Sequence, residues 1–296
     1  MTKKTPQPLF VFFGTPVFSV RALDALEAQG LLPALVVTAP DKMRGRGLAS
    51  SPSPVKEWAL ARGIEVMQPV TLKDPQFVAE LSNTEWDMFV VAAYAKLIPQ
   101  TVLDIPRRGC LNVHPSLLPK FRGPSPVLSA ILADERTTGV SIMQMTERMD
   151  AGPVVAQARI ELEEAEWPPK GSEFTELLFT EGGNLLAEIL PEWLNGELEG
   201  MPQDEAAATF SRKFIDEDAC VDVAGDARAA LLKIRAFDQN PRAHFFAQTK
   251  SGERIRVIIT DAQLRDGTLE ILRVIPEGRR EMAYADFLNS GATPIV

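Results

Sequence analysis

Short apolar runs, separated by turns and helical patterns, dominate the first half of the chain. Val20, Leu23 and Leu26 recur at the spacing of one helix face. Apolar strands that alternate with helices are typical of a parallel sheet covered on both faces. The pattern therefore predicts an α/β domain, with buried strands at residues 9–13, 35–38, 88–93 and Cys110–His114.

Two further strands are predicted at residues 139–145 and Val154–Ile160, on either side of the turn Asp150-Ala151-Gly152-Pro153. Apolar positions between residues 174 and 189 predict a helix with an exposed, Glu-rich face. After about residue 208 the pattern changes to short strands separated by Ser251-Gly252 and Asp266-Gly267 turns. We therefore expect two domains: an α/β domain at 1–205 and a smaller β domain at 206–296.

The charge of the chain is unevenly distributed. The net charge is −9, but residues 161–205 carry thirteen acids and one base, so the rest of the chain is at +3. Lys42, Arg44, Arg46 and Lys56 form a basic segment. Because salt screens charges beyond about 10 Å, a basic segment can bind phosphates even when the rest of the protein is acidic. Composition alone favours a solvated loop.

The cysteines and the missing motifs limit the possible classes. Cys110 and Cys220 are far apart and lack metal-ligand spacing, which indicates a reducing compartment without a disulfide framework or a metal site. No apolar stretch reaches the length of a membrane span, and we expect a cytoplasmic monomer. A dinucleotide fingerprint, a P-loop and a serine nucleophile elbow are all missing from the sequence.

One predicted strand carries candidate chemistry. In the segment CLNVH, alternation places Cys110, Asn112 and His114 on one side of the strand, and its carboxyl end is where open α/β sheets bind ligands. The following residues 115–123 predict a shaped loop. A hydrogen-bonded pair without chemistry is the alternative. Asp150 is a common type of turn residue, and alone it is more often structural than catalytic. For Cys110, a buried core cysteine is favoured over a Cys110–His114 nucleophilic pair.

Several spaced motifs together resemble the folate-dependent formyltransferases: Asn112-Val-His114, Ser116-Leu-Leu-Pro119, Arg122-Gly123, Thr138-Gly-Val140 and Asp150-Ala-Gly152. The segments FFGTPVFSV, APDKMRGRG, AAYAKLIP and LLKIRAFDQNP are most similar to members that act in translation initiation. The resemblance implies a Rossmann-like, mostly parallel sheet domain followed by a smaller C-terminal β-barrel domain of OB-like type. That second domain looks shorter than the family's.

The resemblance also implies the chemistry. The formyl donor would be 10-formyltetrahydrofolate, the acceptor the α-amine of initiator methionyl-tRNA, and no metal would be needed. Asn112 and a protonated His114 would stabilise the tetrahedral oxyanion. His114 would relay a proton to the leaving folate nitrogen, and Asp150 would favour the charged imidazole.

The remaining site residues follow from the same resemblance. The basic residues Lys42, Arg44 and Arg46 would contact the tRNA. The folate pocket would be lined by Tyr94, Leu97, Ile98, Ser116, Leu117, Leu118, Pro119 and Met149. Three alternatives stay open: a formyltransferase acting on an amino-sugar nucleotide, a folate hydrolase, and a non-catalytic folate- or RNA-binding protein.

Overall fold

The structure is a computed structural model that describes residues 7–44 and 49–295. In chain order, the strands are β1 (Phe10–Gly14), β2 (Leu35–Val37), β3 (Lys42–Arg44), β4 (Ala49–Ser51), β5 (Glu65–Met67), β6 (Met88–Ala92), β7 (Cys110–His114), β8 (Thr138–Gln144), β9 (Val154–Ile160), β10 (His244–Gln248), β11 (Arg254–Arg265), β12 (Thr268–Pro276), β13 (Met282–Ala283) and β14 (Thr293–Ile295).

The α-helices are α1 (Val17–Ala28), α2 (Pro54–Leu60), α3 (Pro75–Ser82), α4 (Gln100–Leu103), α5 (Pro126–Leu132), α6 (Gly171–Asn195), α7 (Ala227–Ala236) and α8 (Tyr284–Asn289). Side-chain caps fix several of the helix starts: Ser53, Asp74 and Asp226 each accept a hydrogen bond from a backbone N–H of the first turn. Within the described residues, no helix has the length and apolar character needed to cross a membrane.

The chain divides into two compact units, each assembled from three segments. Unit 1 comprises residues 1–123, 139–160 and 175–210, and unit 2 comprises residues 124–138, 161–174 and 211–296. The boundary expected after residue 205 stays a prediction.

Unit 1 is built on a seven-stranded sheet with the order β5-β2-β1-β6-β7-β8-β9. The pairs β2–β5, β1–β2, β1–β6 and β6–β7 are parallel, whereas β7–β8 is antiparallel. Alternate side chains of β1 pack into two hydrophobic cores, one on each face of the sheet. Phe10 and Phe12 belong to one core, and Val11 and Phe13 belong to the other. The prediction of a mostly parallel sheet covered on both faces is confirmed.

Unit 2 contains an antiparallel sheet with the order β13-β12-β11-β10-β14. The Asp266-Gly267 turn between β11 and β12 has positive φ at both residues (51° and 75°), as a tight hairpin requires. The two strands are longer than the sequence pattern indicates and pair from Val257–Pro276 to Arg265–Thr268. Five strands are also the number in an OB fold, and the separate C-terminal β domain is confirmed.

Candidate active site

Strand β7 brings Asn112 and His114 to the carboxyl end of the parallel part of the sheet. Leu111 and Val113 pack in the core on one face of unit 1, whereas Cys110 belongs to the core on the other. This division confirms the alternation inferred from CLNVH. Burial raises the pKa of the Cys110 thiol above its usual range, so this cysteine is an apolar core residue rather than a thiolate.

Asn112 carries its carboxamide near the carboxyl end of β7. Its side chain is half-buried, and no hydrogen bond to the carboxamide is found in the part of the chain that the structure describes. The two N–H donors of Asn112 are therefore available to a ligand.

His114 lies in a buried position between a carbonyl and a carboxylate. Its side chain is 5% exposed, Nε2 lies 3.2 Å from the carbonyl oxygen of Phe121, and Nδ1 lies 3.8 Å from Oδ1 of Asp150. Since the carbonyl can only accept, Nε2 carries the hydrogen of the neutral ring and Nδ1 its lone pair. The 3.8 Å separation exceeds a hydrogen bond, so Asp150 acts on the ring through its charge.

The protonation state of His114 differs from the sequence-based expectation. Burial lowers its pKa below the ordinary value of about 6.5, and the opposing effects of the Asp150 carboxylate and the Phe121 carbonyl are smaller. The resting imidazole is therefore neutral at pH 7. Sequence reasoning identified the acidic neighbour, but the burial that outweighs it depends on the packing of the loop after β7.

The Asp150 turn has a constrained backbone. Asp150 has a φ of 50°, in the left-handed region that Asp tolerates better than most residues. The turn folds so tightly that a Cβ on Gly152 would collide with the carbonyl oxygen of Gln144. Oδ2 of Asp150 accepts a 2.7 Å hydrogen bond from the N–H of Gly123. The turn therefore brings Asp150 to His114 from a segment 36 residues further along the chain.

The loop after β7 is held from inside by hydroxyl and amide groups. The Ser141 hydroxyl donates to the carbonyl of Ser116 (2.6 Å) and accepts from the N–H of Leu118 (3.0 Å). The Gln157 amide donates to the Leu118 carbonyl at 2.8 Å. Ser116 and Leu118 are buried, whereas Leu117 and Pro119 are half-buried. The Ser116 hydroxyl donates to the carbonyl of Lys120, so it has a structural role already.

The other predicted folate-pocket residues differ in exposure. Tyr94 lies edge-on to Phe13, and its buried hydroxyl has no partner within the described ranges. Burial raises the pKa of Tyr94 to about 12, so the hydroxyl stays protonated as a donor. Leu97 and Met149 are 71% and 63% exposed, whereas Ile98 packs in the core at 3%. Of this group, Ile98 has no surface open to a ligand.

Two of the three predicted tRNA-contacting residues belong to β3, which pairs with β4. Lys42 is exposed on β3, the backbone of Arg44 belongs to the same strand, and Arg46 lies outside the described residues. Lys56 is not a free cation, because Nζ pairs with Asp41 at 2.8 Å. The basic segment therefore offers one positive charge fewer to a phosphate than its sequence indicates.

Three polar residues near the Asp150 turn were not assigned a role by sequence reasoning. Arg122 is 1% exposed and donates to Gln203 and Glu205. Gln203 in turn donates to backbone carbonyls of the turn. Arg122 belongs to a motif already noted, but nothing in the sequence indicates that the acidic stretch supplies its partner. No group of three or more His, Cys, Asp or Glu with metal-site geometry occurs in the described segments.

An amide, an imidazole and a carboxylate beyond the carboxyl end of β7, in a mostly parallel sheet, are typical of the active sites of open-sheet α/β enzymes. Residues 8–168 match the family described as Formyl transferase. The methionyl-tRNA formyltransferase of Chloroflexus aggregans is 40% identical over 309 aligned residues, covering 96% of this chain and 97% of the relative. The chain belongs to the formyl transferase family, in the group represented by the methionyl-tRNA formyltransferases.

Solved structures share the fold. The methionyl-tRNA formyltransferase from Clostridium thermocellum superposes with a TM-score of 0.61 at 15% identity, covering 91% of this chain and 99% of that one. The N-formyltransferase from Helicobacter canadensis, in complex with folinic acid and dTDP-3-aminofucose, gives a TM-score of 0.62 at 16% identity, with 90% and 95% covered. At these identities the likeness concerns the fold alone.

Proposed function

We propose that this protein transfers the formyl group of 10-formyltetrahydrofolate to the α-amine of initiator methionyl-tRNA, with Asn112, His114 and Asp150 as its catalytic residues. The observation that carries the assignment is that strand β7, which holds Asn112 and His114, meets the turn that holds Asp150, with His114 and Asp150 3.8 Å apart. The full-length relative named methionyl-tRNA formyltransferase supports the acceptor. The structural relative in complex with folinic acid supports a folate donor.

The reaction begins when the neutral amine attacks the formyl carbon, which forms a tetrahedral oxyanion. An aminoacyl amine titrates near pH 7–8, so the neutral form is available. The unpartnered carboxamide of Asn112 is suited to donate a hydrogen bond to the oxyanion, and one such donor is typically worth about 10²–10³ in rate.

His114 then moves the proton. Its low pKa leaves a neutral Nδ1 that can accept the proton lost by the amine, and the nearby Asp150 carboxylate stabilises the imidazolium that forms. The imidazolium returns the proton to N10 of the folate as the bond between N10 and the formyl carbon breaks. Protons balance, because the amine loses one and N10 gains one.

The acceptor requires a surface for phosphates. Lys42 is exposed at the start of β3, and we assign it, together with Arg44 and Arg46, to the tRNA contact. Lys56 and Gln68 both bond to Asp41, with Gln68 donating at 2.7 Å. These bonds hold the residue that precedes Lys42, which lowers the ordering cost of a phosphate contact at Lys42.

The proposal is tested by following a labelled formyl group. The pure protein is incubated with labelled 10-formyltetrahydrofolate and, in parallel, with methionyl-tRNA, with an amino-sugar nucleotide, or with no acceptor. We expect label on the methionyl amine alone. Label on the sugar would contradict the acceptor, release of formate without acceptor would indicate a hydrolase, and binding of folate without turnover would leave a non-catalytic protein.

A further inference from the structure

Arg122 is a buried cation whose partners lie beside the candidate active site. Its side chain is 1% exposed, and a buried guanidinium is strongly unfavourable unless it is paired and hydrogen-bonded. Nη1 and Nη2 donate to the two carboxylate oxygens of Glu205 at 3.2 and 3.1 Å, which is a forked pair. Nε is directed elsewhere and donates to Oε1 of Gln203 at 2.9 Å.

The bond from Arg122 fixes which way the Gln203 amide points. Because Oε1 accepts from the guanidinium, both hydrogens of Nε2 face the opposite direction. They donate to the carbonyl oxygen of Asp150 at 2.9 Å and to that of Gly152 at 2.7 Å. One side chain therefore binds two carbonyls of the same turn.

The residue after Arg122 contacts the Asp150 carboxylate itself. The N–H of Gly123 donates to Oδ2 of Asp150 at 2.7 Å, and Oδ1 is the oxygen that faces His114. The turn also holds Asp150 at a φ of 50°, a sparsely populated conformation that persists only where surrounding contacts impose it.

We propose that Gln203 and Arg122 are positioning residues that hold the Asp150 turn so that Oδ1 faces the His114 imidazole. The inference rests on the proposed function, in which Asp150 stabilises the His114 imidazolium. Gln203 acts on the backbone of the turn, and Arg122 acts by orienting Gln203. Glu205 neutralises Arg122 and also pairs with the exposed Arg148.

A double-mutant cycle of Gln203→Ala and Asp150→Asn tests this role. We expect Gln203→Ala to lower kcat by about 10- to 100-fold, the cost of a misplaced catalytic group, with both Michaelis constants unchanged. In the Asp150→Asn background the same change should add less than about twofold, because both substitutions remove one function. Gln203→Glu keeps the size but loses both donors, and should behave like Gln203→Ala.

Arg148→Ala is the matched control, since Arg148 shares Glu205 but its side chain does not bond to Gln203. It should keep its rate within about twofold. Full activity of Gln203→Ala and Gln203→Glu would overturn the inference, as would an equal loss in both backgrounds, which a general structural defect predicts. A fully active Asp150→Asn would overturn the role of Asp150 itself, whereas an inactive Asp150→Asn beside a fully active Gln203→Ala overturns the positioning role alone.

Discussion

The close approach of helix α6 to strand β7 gives a sharp prediction about Gly182. A Cβ at this position would lie 2.9 Å from Cγ2 of Val140 and closer still to Cγ1 of Val113, both of which are buried. Carbon atoms pack at about 3.5 Å or more, so the shortfall is about 0.6 Å at Val140 and larger at Val113. Gly182→Ala must therefore push β7 or α6 aside.

Two effects of opposite sign decide the outcome. Alanine is favoured over glycine inside a helix by about 1 kcal/mol, whereas overpacking a filled core costs about 1–3 kcal/mol. We expect overpacking to prevail, because the contact at Val113 is so short, so that Gly182→Ala lowers the free energy of unfolding by up to about 2 kcal/mol. Since Val113 lies between Asn112 and His114, kcat for formyl transfer should also fall, by about tenfold or more.

Urea unfolding and steady-state formyl transfer measure the two effects. The control is Asn184→Ala, an exposed site on the same helix, where alanine should be neutral or slightly stabilising and the activity unchanged. If Gly182→Ala were as stable as the control and fully active, the packing of α6 behind β7 would not be what positions the two side chains.

Because burial lowers the pKa of His114, the unfolded chain binds more protons than the folded chain just below pH 6.5, and stability is lost as pH falls there. The free energy of unfolding, measured between about pH 7.5 and 5.5, should therefore fall less steeply in His114→Gln, and an unchanged slope would contradict this. Ser141→Ala leaves the Leu118 N–H and the Ser116 carbonyl without their buried partner, and should cost about 1–3 kcal/mol by urea unfolding. Arg46→Ala should raise the Michaelis constant for tRNA but not for folate, with the salt dependence of tRNA binding reduced, while Lys73→Ala, at an exposed site on another loop, changes neither.

The sequence was most informative where one local pattern determines the structure. The alternation in CLNVH gave both ends of β7 and the face that each side chain occupies. The apolar spacing after residue 171 likewise gave helix α6, with Glu173 and Glu188 exposed as expected. Such elements need no information from distant segments, because backbone hydrogen bonding and the side-chain period are local properties.

The differences at the charged residues involve partners that are distant along the chain. Arg122 is buried because Gln203 and Glu205, some 80 residues later, meet it, and nothing local indicates that burial. Lys56 is one of the four bases of the basic segment, but it pairs with Asp41. For His114, the nearby carboxylate was inferred correctly, whereas the desolvation that keeps the ring neutral arises only from tertiary packing.

The proposed mechanism requires the amide, the imidazole and the carboxylate to act together on one formyl group. The single-turnover rate of formyl transfer to methionyl-tRNA, with donor and acceptor saturating, tests this requirement. The rate is compared among the wild type, Asn112→Ala, His114→Ala and Asp150→Ala, with the exposed Asp104→Ala as the matched control. We predict that each of the three lowers the rate by about 10² or more in a folded protein, while the control retains it. Wild-type rates in all three would show that these side chains do not carry out the transfer.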